Sequence, residues 1–192
     1  MINEQTFIII KPDGIQRSLI GEVVSRLERV GLKLVAMKML LPTEELTRKH
    51  YTIDPEWIRK TGEKNLSSYA QKGIVLTSTD PMEIGNGVLN NLVSYLTSGP
   101  VVVMVWQGVH AVEIVRKLVG STEPLSSDVG TIRGDFVLDS YKLSDKQGRA
   151  IRNVMHASGS VEEAKGEITL WFTPTEVLDY RHIQDEILYQ NI

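Results

Sequence analysis

The first apolar block along the chain is residues 6–10 (TFIII), short, β-branched and unbroken by polar residues. Such a block predicts a buried strand. KPDG stops it, because Pro12 has no N–H to give a ladder and Gly14 favours a turn. In the next segment, LIGEVVSRLERVG, apolar positions recur at Ile20, Val23, Val24 and Leu27. Ser18 stands at an N-cap position and Gly31 at a C′ position, so an amphipathic helix is expected between them. Residues 33–41 alternate loosely and predict a second strand. Pro42 and Thr43 then open a short helix ending near Tyr51.

Residues 52–85 are the least regular stretch, with DPEW, TGEK, QKG and TSTDPMEIGNG in sequence. They hold too few apolar residues for a core of their own, which predicts a surface excursion with helical pieces inside a single domain spanning 1–192. Helical spacing resumes over 88–96, SGP interrupts it, and residues 101–106 (VVVMVW) predict the clearest strand. A helix over 111–119 closes at Gly120. A glycine- and serine-rich loop then carries Thr131, Arg133 and Asp135. Residues 139–149 (DSYKLSDKQGR) predict a polar surface loop, and 153–156 a last short strand. Ser160 and Glu163 form an S-x-x-E capping box for a helix through about Ile168. Strands separated by helices imply an α/β (α+β) layered fold. A split βαβ arrangement, a four-stranded antiparallel sheet with helices on one face, fits the four short strands.

Composition narrows the functional classes. At 42% hydrophobic and 23% charged over 192 residues, the chain is ordinary for a globular protein. A net charge of −3 gives no global attraction for nucleic acid or an anionic membrane, so any phosphate site must be local. The absence of cysteine excludes disulfides and thiolate chemistry. The start, MINEQTFIIIK, lacks the basic and apolar regions of a signal peptide, and the longest apolar run is far too short for a bilayer. The expected location is the cytoplasm.

His156 is the first candidate for chemistry. It ends a predicted strand and is followed by Ala157, Ser158, Gly159 and Ser160, leading into a capped helix. A helix N-terminus suits a phosphate, and a neutral imidazole is a nucleophile toward phosphorus when a carboxylate holds its other nitrogen. Glu167, two turns into that helix, is placed to do so. Spacing alone favours a core histidine satisfied by one hydrogen bond. Lys11, directly after the first strand, is either a phosphate anchor or a solvated strand end. Arg116 and Arg133 are either phosphate forks or structural ion-pair arginines. Thr122 and Asn153 offer donors for phosphate or ribose, and Tyr51 and Trp57 are stacking surfaces or core aromatics. Lys11, Arg116, Arg133 and Asn153 together form one positive, donor-rich set in an acidic chain.

With these residues in view, four segments resemble the nucleoside diphosphate kinase family. They are TFIIIKPDGIQRSLIGEVVSRLERVGLKL, LTSGPVVVMVWQGVHAVEIVRKLVGSTEP, GTIRGDF and RNVMHASGSVEEAKGEITLWF, in the family's order and over more than half the chain. The resemblance implies a ferredoxin-like fold and ping-pong transfer of a phosphoryl group from a nucleoside triphosphate to a diphosphate. It makes His156 the nucleophile, oriented by Glu167 with support from Ser158. Lys11, Tyr51, Arg116, Thr122, Arg133 and Asn153 line the phosphate and ribose site. Magnesium (Mg2+) rides on the nucleotide phosphates, and the family implies a homo-oligomer, a hexamer or otherwise a tetramer. The family string H-G-S-D-S is HASGS here, so Gly159 stands in place of an aspartate. The family's stacking Phe has no counterpart in the insertion at approximately 52–85. Trp57 is the first candidate to replace it, with Ala150 and Ile151 as alternatives. A short polar insertion, approximately 139–149, precedes Asn153.

Overall fold

The computed structural model describes residues 4–71, 73–74 and 77–188. Its strands are β1 (Glu4–Ile10), β2 (Lys33–Leu40), β3 (Val101–Gly108) and β4 (Met155–Ala157). They form one four-stranded sheet in the order β2-β3-β1-β4, with every neighbouring pair antiparallel. The described helices are α1 (Pro12–Gln16), α2 (Ile20–Arg29), α3 (Glu44–Tyr51), α4 (Trp57–Gln71), α5 (Pro81–Leu96), α6 (Ala111–Val119), α7 (Ile132–Phe136), α8 (Tyr141–Lys146), α9 (Val161–Trp171) and α10 (Ile183–Leu188). β1-α2-β2 and β3-α6-β4 are the two βαβ units, each split by a strand of the other, which is the ferredoxin-like arrangement.

Helices cover both faces of this sheet, not one as the pattern suggested. On one face Ile8, Ile10, Val102, Met104 and Trp106 pack with Val23 and Leu27 of α2 and Val115 and Val119 of α6. On the other, Phe7, Ile9, Val101, Val103 and Val105 pack with Leu96 of α5 and Trp171 of α9. The reason is visible in the sequence. A strand with one wet face alternates apolar and polar, whereas β1 and β3 are apolar at successive positions and need cover on each side. Each of these side chains contributes roughly 1.5–3 kcal/mol by leaving water.

Several expected boundaries shift. KPDG is not a bare turn, since α1 starts at Pro12. Ser18 does not cap α2. It sits at φ 58° in the reversal between α1 and α2, and Leu19 is the N-cap, without a side-chain bond. The stretch 52–85 is largely helical. α4 runs 15 residues and α5 begins at Pro81, capped by the Asp80 carboxylate on the Met82 N–H, well before residue 88. Segment 139–149 contains α8, capped by Ser140, and TIRGDF contains α7, capped by Thr131. Ser160 caps α9, but Glu163 returns its carboxylate to the Gly159 N–H, so the capping box is only half formed. α9 also continues past Ile168 to Trp171.

The edge strand β2 is partly covered by the C-terminal segment. The Leu178 N–H donates to Val35 O at 2.8 Å and the Tyr180 hydroxyl to Leu34 O at 2.8 Å, satisfying edge carbonyls. Among the described residues no helix is long and apolar enough to cross a membrane.

Candidate active site

β4 places His156 opposite Ile9 of β1, and the chain then turns through Ser158 and Gly159 to the cap of α9. Two turns along α9, Glu167 comes back over the strand end. Its Oε1 lies 2.5 Å from His156 Nε2, and its Oε2 accepts the Ser158 hydroxyl at 2.6 Å. Ser158 Oγ in turn accepts the Phe7 N–H at 3.1 Å, so β1 fixes the hydroxyl that fixes the carboxylate. Glu167 and Ser158 are buried, and the His156 side chain is 18% exposed. Burial, and then the positive charge of Lys11, hold His156 well below the ordinary histidine range. Burial raises the Glu167 carboxyl, opposed by His50 and by the Ser158 hydroxyl bond. A neutral imidazole that gives its Nε2–H to Glu167 keeps the Nδ1 lone pair free.

The backbone before His156 is strained. The actual strand starts at Met155, not Asn153, because Val154 adopts φ 66°, which a β-branched residue rarely does. Its amide donates to Asp13 Oδ2 at 3.2 Å and its carbonyl accepts the Lys11 N–H at 2.7 Å. The KPDG turn therefore holds the residue that aims Asn153 and His156.

Lys11, Arg133 and Asn153 form the buried cluster beside His156. Lys11 Nζ donates to Asn153 Oδ1 at 2.7 Å, and Asn153 Nδ2 donates to Thr122 O at 3.0 Å. Burial, aided by the neighbouring Arg133, pulls the Lys11 ammonium down to about 7. Arg133 is lowered to about 10, by burial and then by Arg116. Its guanidinium serves the fold as well as the cleft. Nε and both Nη atoms donate to the carbonyls of Asn153, Gly120, Ser121 and Met155, leaving one of five N–H groups for a ligand. Arg116 and Thr122 are exposed at the C-terminal end of α6 and just beyond it.

A cleft of about 670 Å³ brings together Lys11, Tyr51, Trp57, Arg116, Thr122, Arg133, Asn153, His156 and Glu167. Its size falls within the usual range for small-molecule sites. The Tyr51 hydroxyl is buried without a partner, a donor ready for a ligand oxygen. Ile53, Trp57, Leu92 and Ile151 supply apolar wall, whereas Ala150 does not line it. Asp54, Glu162 and Glu163 add carboxylates. Gly159 has an ordinary backbone, and a Cβ there would meet only the flexible end of Glu163, at 2.7 Å from Oε2. Ala157 likewise has no positive φ, so it needs no glycine.

Sequence reasoning missed His50. This α3 residue is buried, its ring stands edge-on to His156 at 4.6 Å, and its Nδ1 accepts the Trp171 indole N–H at 3.3 Å. Burial lowers it to about 3, so it stays neutral beside the Glu167 carboxylate, 3.6 Å away. The clue was its place four residues after Leu46, on the inward stripe of a short helix.

Comparison with known proteins covers nearly the whole chain. The family model described as nucleoside diphosphate kinase matches residues 4–79 and 82–177. A nucleoside diphosphate kinase from Pyrobaculum aerophilum is 47% identical over 180 residues, 92% of this chain and 98% of that protein. One from Borreliella burgdorferi is 41% identical over 181 residues, 94% of each. The crystal structure of the Pyrobaculum aerophilum NDP kinase superposes with a TM-score of 0.88 at 46% identity, covering 92% of this chain and 100% of that one. A transition-state mimic of the Borrelia burgdorferi enzyme with bound vanadate and ADP gives 0.81 at 40% identity, covering 98% of each chain. Fold, sequence and coverage agree from the first strand to the segment after α9, and the chain belongs to the nucleoside diphosphate kinase family.

Proposed function

We propose that the chain carries out its family's reaction through His156: the γ-phosphoryl group of a nucleoside triphosphate moves to His156 Nδ1 and then to a nucleoside diphosphate. The observation that carries this reading is the 2.5 Å contact of His156 Nε2 with Glu167. In the first step Nδ1 attacks the γ-phosphorus, an N–P bond forms, the β–γ bridging P–O bond breaks and the diphosphate leaves. Positive charge develops on the ring, and Glu167 offsets it without needing to take the proton. An incoming diphosphate oxygen reverses the steps. Phosphoryl transfer depends mainly on positioning and charge neutralisation. Lys11 and the spare Arg133 N–H suit the transferred phosphoryl oxygens, Arg116 and Thr122 the outer phosphates, and Tyr51 and Asn153 the remaining oxygens. Trp57, with Ile53 and Ile151, offers the base a surface that selects for a flat ring rather than for hydrogen-bond pattern.

Magnesium fits this site as the companion of the nucleotide. Glu162 and Glu163 line the cleft with the oxygen donors a hard cation takes, directly or through water. Bound there, the ion neutralises phosphate charge. The reading also takes residues 1–192 as one domain carrying additions at approximately 52–85 and 139–149, working in the cytoplasm as a homo-oligomer.

Incubation with γ-labelled ATP, followed by mass spectrometry, tests the proposal. An acid-labile, alkali-stable adduct on His156 is expected, with exchange activity lost in a folded His156→Ala variant. Substantial exchange in that variant overturns the mechanism. ATP binding with no adduct on the unsubstituted protein favours a non-catalytic nucleotide-binding role instead.

A further inference from the structure

Tyr95 of α5 is buried at 2% exposure and is absent from the cleft wall, yet it touches four groups at the phosphate end. Its hydroxyl donates to Asp13 Oδ1 and accepts the Asn153 N–H at 3.3 Å. Its ring lies under two cations, with Lys11 Nζ 5.1 Å and Arg152 Cζ 4.1 Å from the centroid. Asp13 in turn carries the amide of the strained Val154. One side chain thus ties α5 to the KPDG turn and to the segment that delivers Asn153 and His156.

We propose that Tyr95 is a positioning residue for phosphoryl transfer: its hydroxyl locks Asp13 and the Asn153 backbone, and its ring face lies against the buried Lys11 and favours the ammonium form where the phosphate arrives. This rests on the reading of the cleft as a phosphoryl-transfer site. An ammonium taken out of water loses hydration, and the negative face of an aromatic ring replaces part of it. The other groups facing Lys11 leave room for this contribution. Arg133 of α7 and Arg152 oppose its charge, while Asp13 of α1 favours it. Asn153 Oδ1 accepts a hydrogen bond from its Nζ, and His50 and His156 stay neutral. Burial keeps the phenol protonated, well above the ordinary tyrosine range, so it remains a donor.

The test compares Tyr95→Phe with a variant carrying pentafluorophenylalanine at position 95, both in the full chain. The two rings have nearly the same shape but opposite quadrupoles. Activity with ATP and a diphosphate is measured from pH 6 to 9, with phosphohistidine yield and Tm. Tyr95→Phe should lower kcat/KM roughly tenfold with its alkaline limb in place, on the scale of a lost hydrogen bond to a charged partner. The fluorinated ring should move that limb down by about one pH unit, the scale of a desolvated cation–π contact. The shift should persist in an Arg152→Gln background, which leaves Lys11 as the ring's cation. Equal limbs in the two variants, a shift that vanishes with Arg152→Gln, or activity that merely follows Tm overturns the inference. Absence of phosphohistidine in the unsubstituted protein overturns the underlying reading instead.

Discussion

Trp57 packs its ring against Tyr51 with centroids 5.8 Å apart, joining the first residue of α4 to the last of α3 at the edge of the cleft. Tyr51 also lines the cleft, with its hydroxyl buried and unpaired. Trp57 is half-buried and lines the cleft. Trp57→Ala should therefore raise KM for every nucleoside diphosphate by a similar factor, roughly tenfold on the scale of base–aromatic stacking. Steady-state kinetics with purine and pyrimidine diphosphates checks this. A large fall in Tm with unchanged KM would make Trp57 a clamp for the hairpin, leaving Ile151 to meet the base.

The α4–α5 hairpin closes on two glycines. A Cβ at Gly62 would lie 1.8 Å from Pro81 O, and one at Gly85 would lie 2.0 Å from Ile58 O. The helices cross with backbone against backbone, and neither site has room for a methyl group. Gly62→Ala should destabilise the protein by about 1–3 kcal/mol, as overpacking does, despite alanine's better helix propensity. Because Trp57 rides on α4, KM should rise along with the fall in Tm. A Tm equal to or above that of the parent would contradict the close crossing.

These glycines also show where sequence reading stops. TGEK and IGNG lie in the stretch that looks least regular along the chain, since glycine weakens an isolated helix, and their Gly62 and Gly85 are what let two helices touch. Spacing records one chain's periodicity and holds nothing about a partner helix. The core strands were legible because the continuous apolar runs of β1 and β3 have few other solutions. The second layer of helices followed from those same runs but was not drawn from them. Within the cleft, the chemistry-bearing types at Lys11, Arg133, Asn153 and His156 could be picked out. Val154's positive φ could not, since tertiary bonds to Asp13 and Lys11 impose it. His50 was passed over because a histidine beside a tyrosine in a short polar helix reads as surface until Trp171 and Glu167 close over it.

Lys11 makes nucleotide affinity depend on pH. In the free protein its ammonium is pulled from 10.5 to about 7, chiefly by burial. Phosphate placed against it restores the charged form. Above about pH 7 binding must therefore take up a proton, and affinity should fall as pH rises, up to about tenfold per unit. Between about 7 and 10.5 the unfolded chain holds a proton that the free fold lacks, so this group makes the unliganded protein more stable as pH rises. Calorimetric titration with ADP at pH 8.5, in two buffers of different ionisation enthalpy, should show proton uptake, and Lys11→Met should abolish it. Identical heats in both buffers would sink this account.

Glu167 has two separable duties, and a single substitution divides them. Its carboxylate accepts from His156 Nε2 and from Ser158, which fixes the ring's direction, and its charge offsets the imidazolium that phosphorylation creates. Glutamine keeps the size of the side chain and one carbonyl oxygen, so orientation can survive in part. It carries no charge, and an amide turned the other way would donate to Nε2 and place the ring hydrogen on Nδ1, the attacking atom. Glu167→Gln should thus lower kcat on the order of 10²-fold or more, the scale of a lost orienting or charge-stabilising group, with KM nearly unchanged. Rapid-quench measurement of phosphohistidine formation separates the chemical step from product release. If that step stays within threefold of the parent, the charge on Glu167 is not part of catalysis, and its contact with His156 serves only to hold the ring.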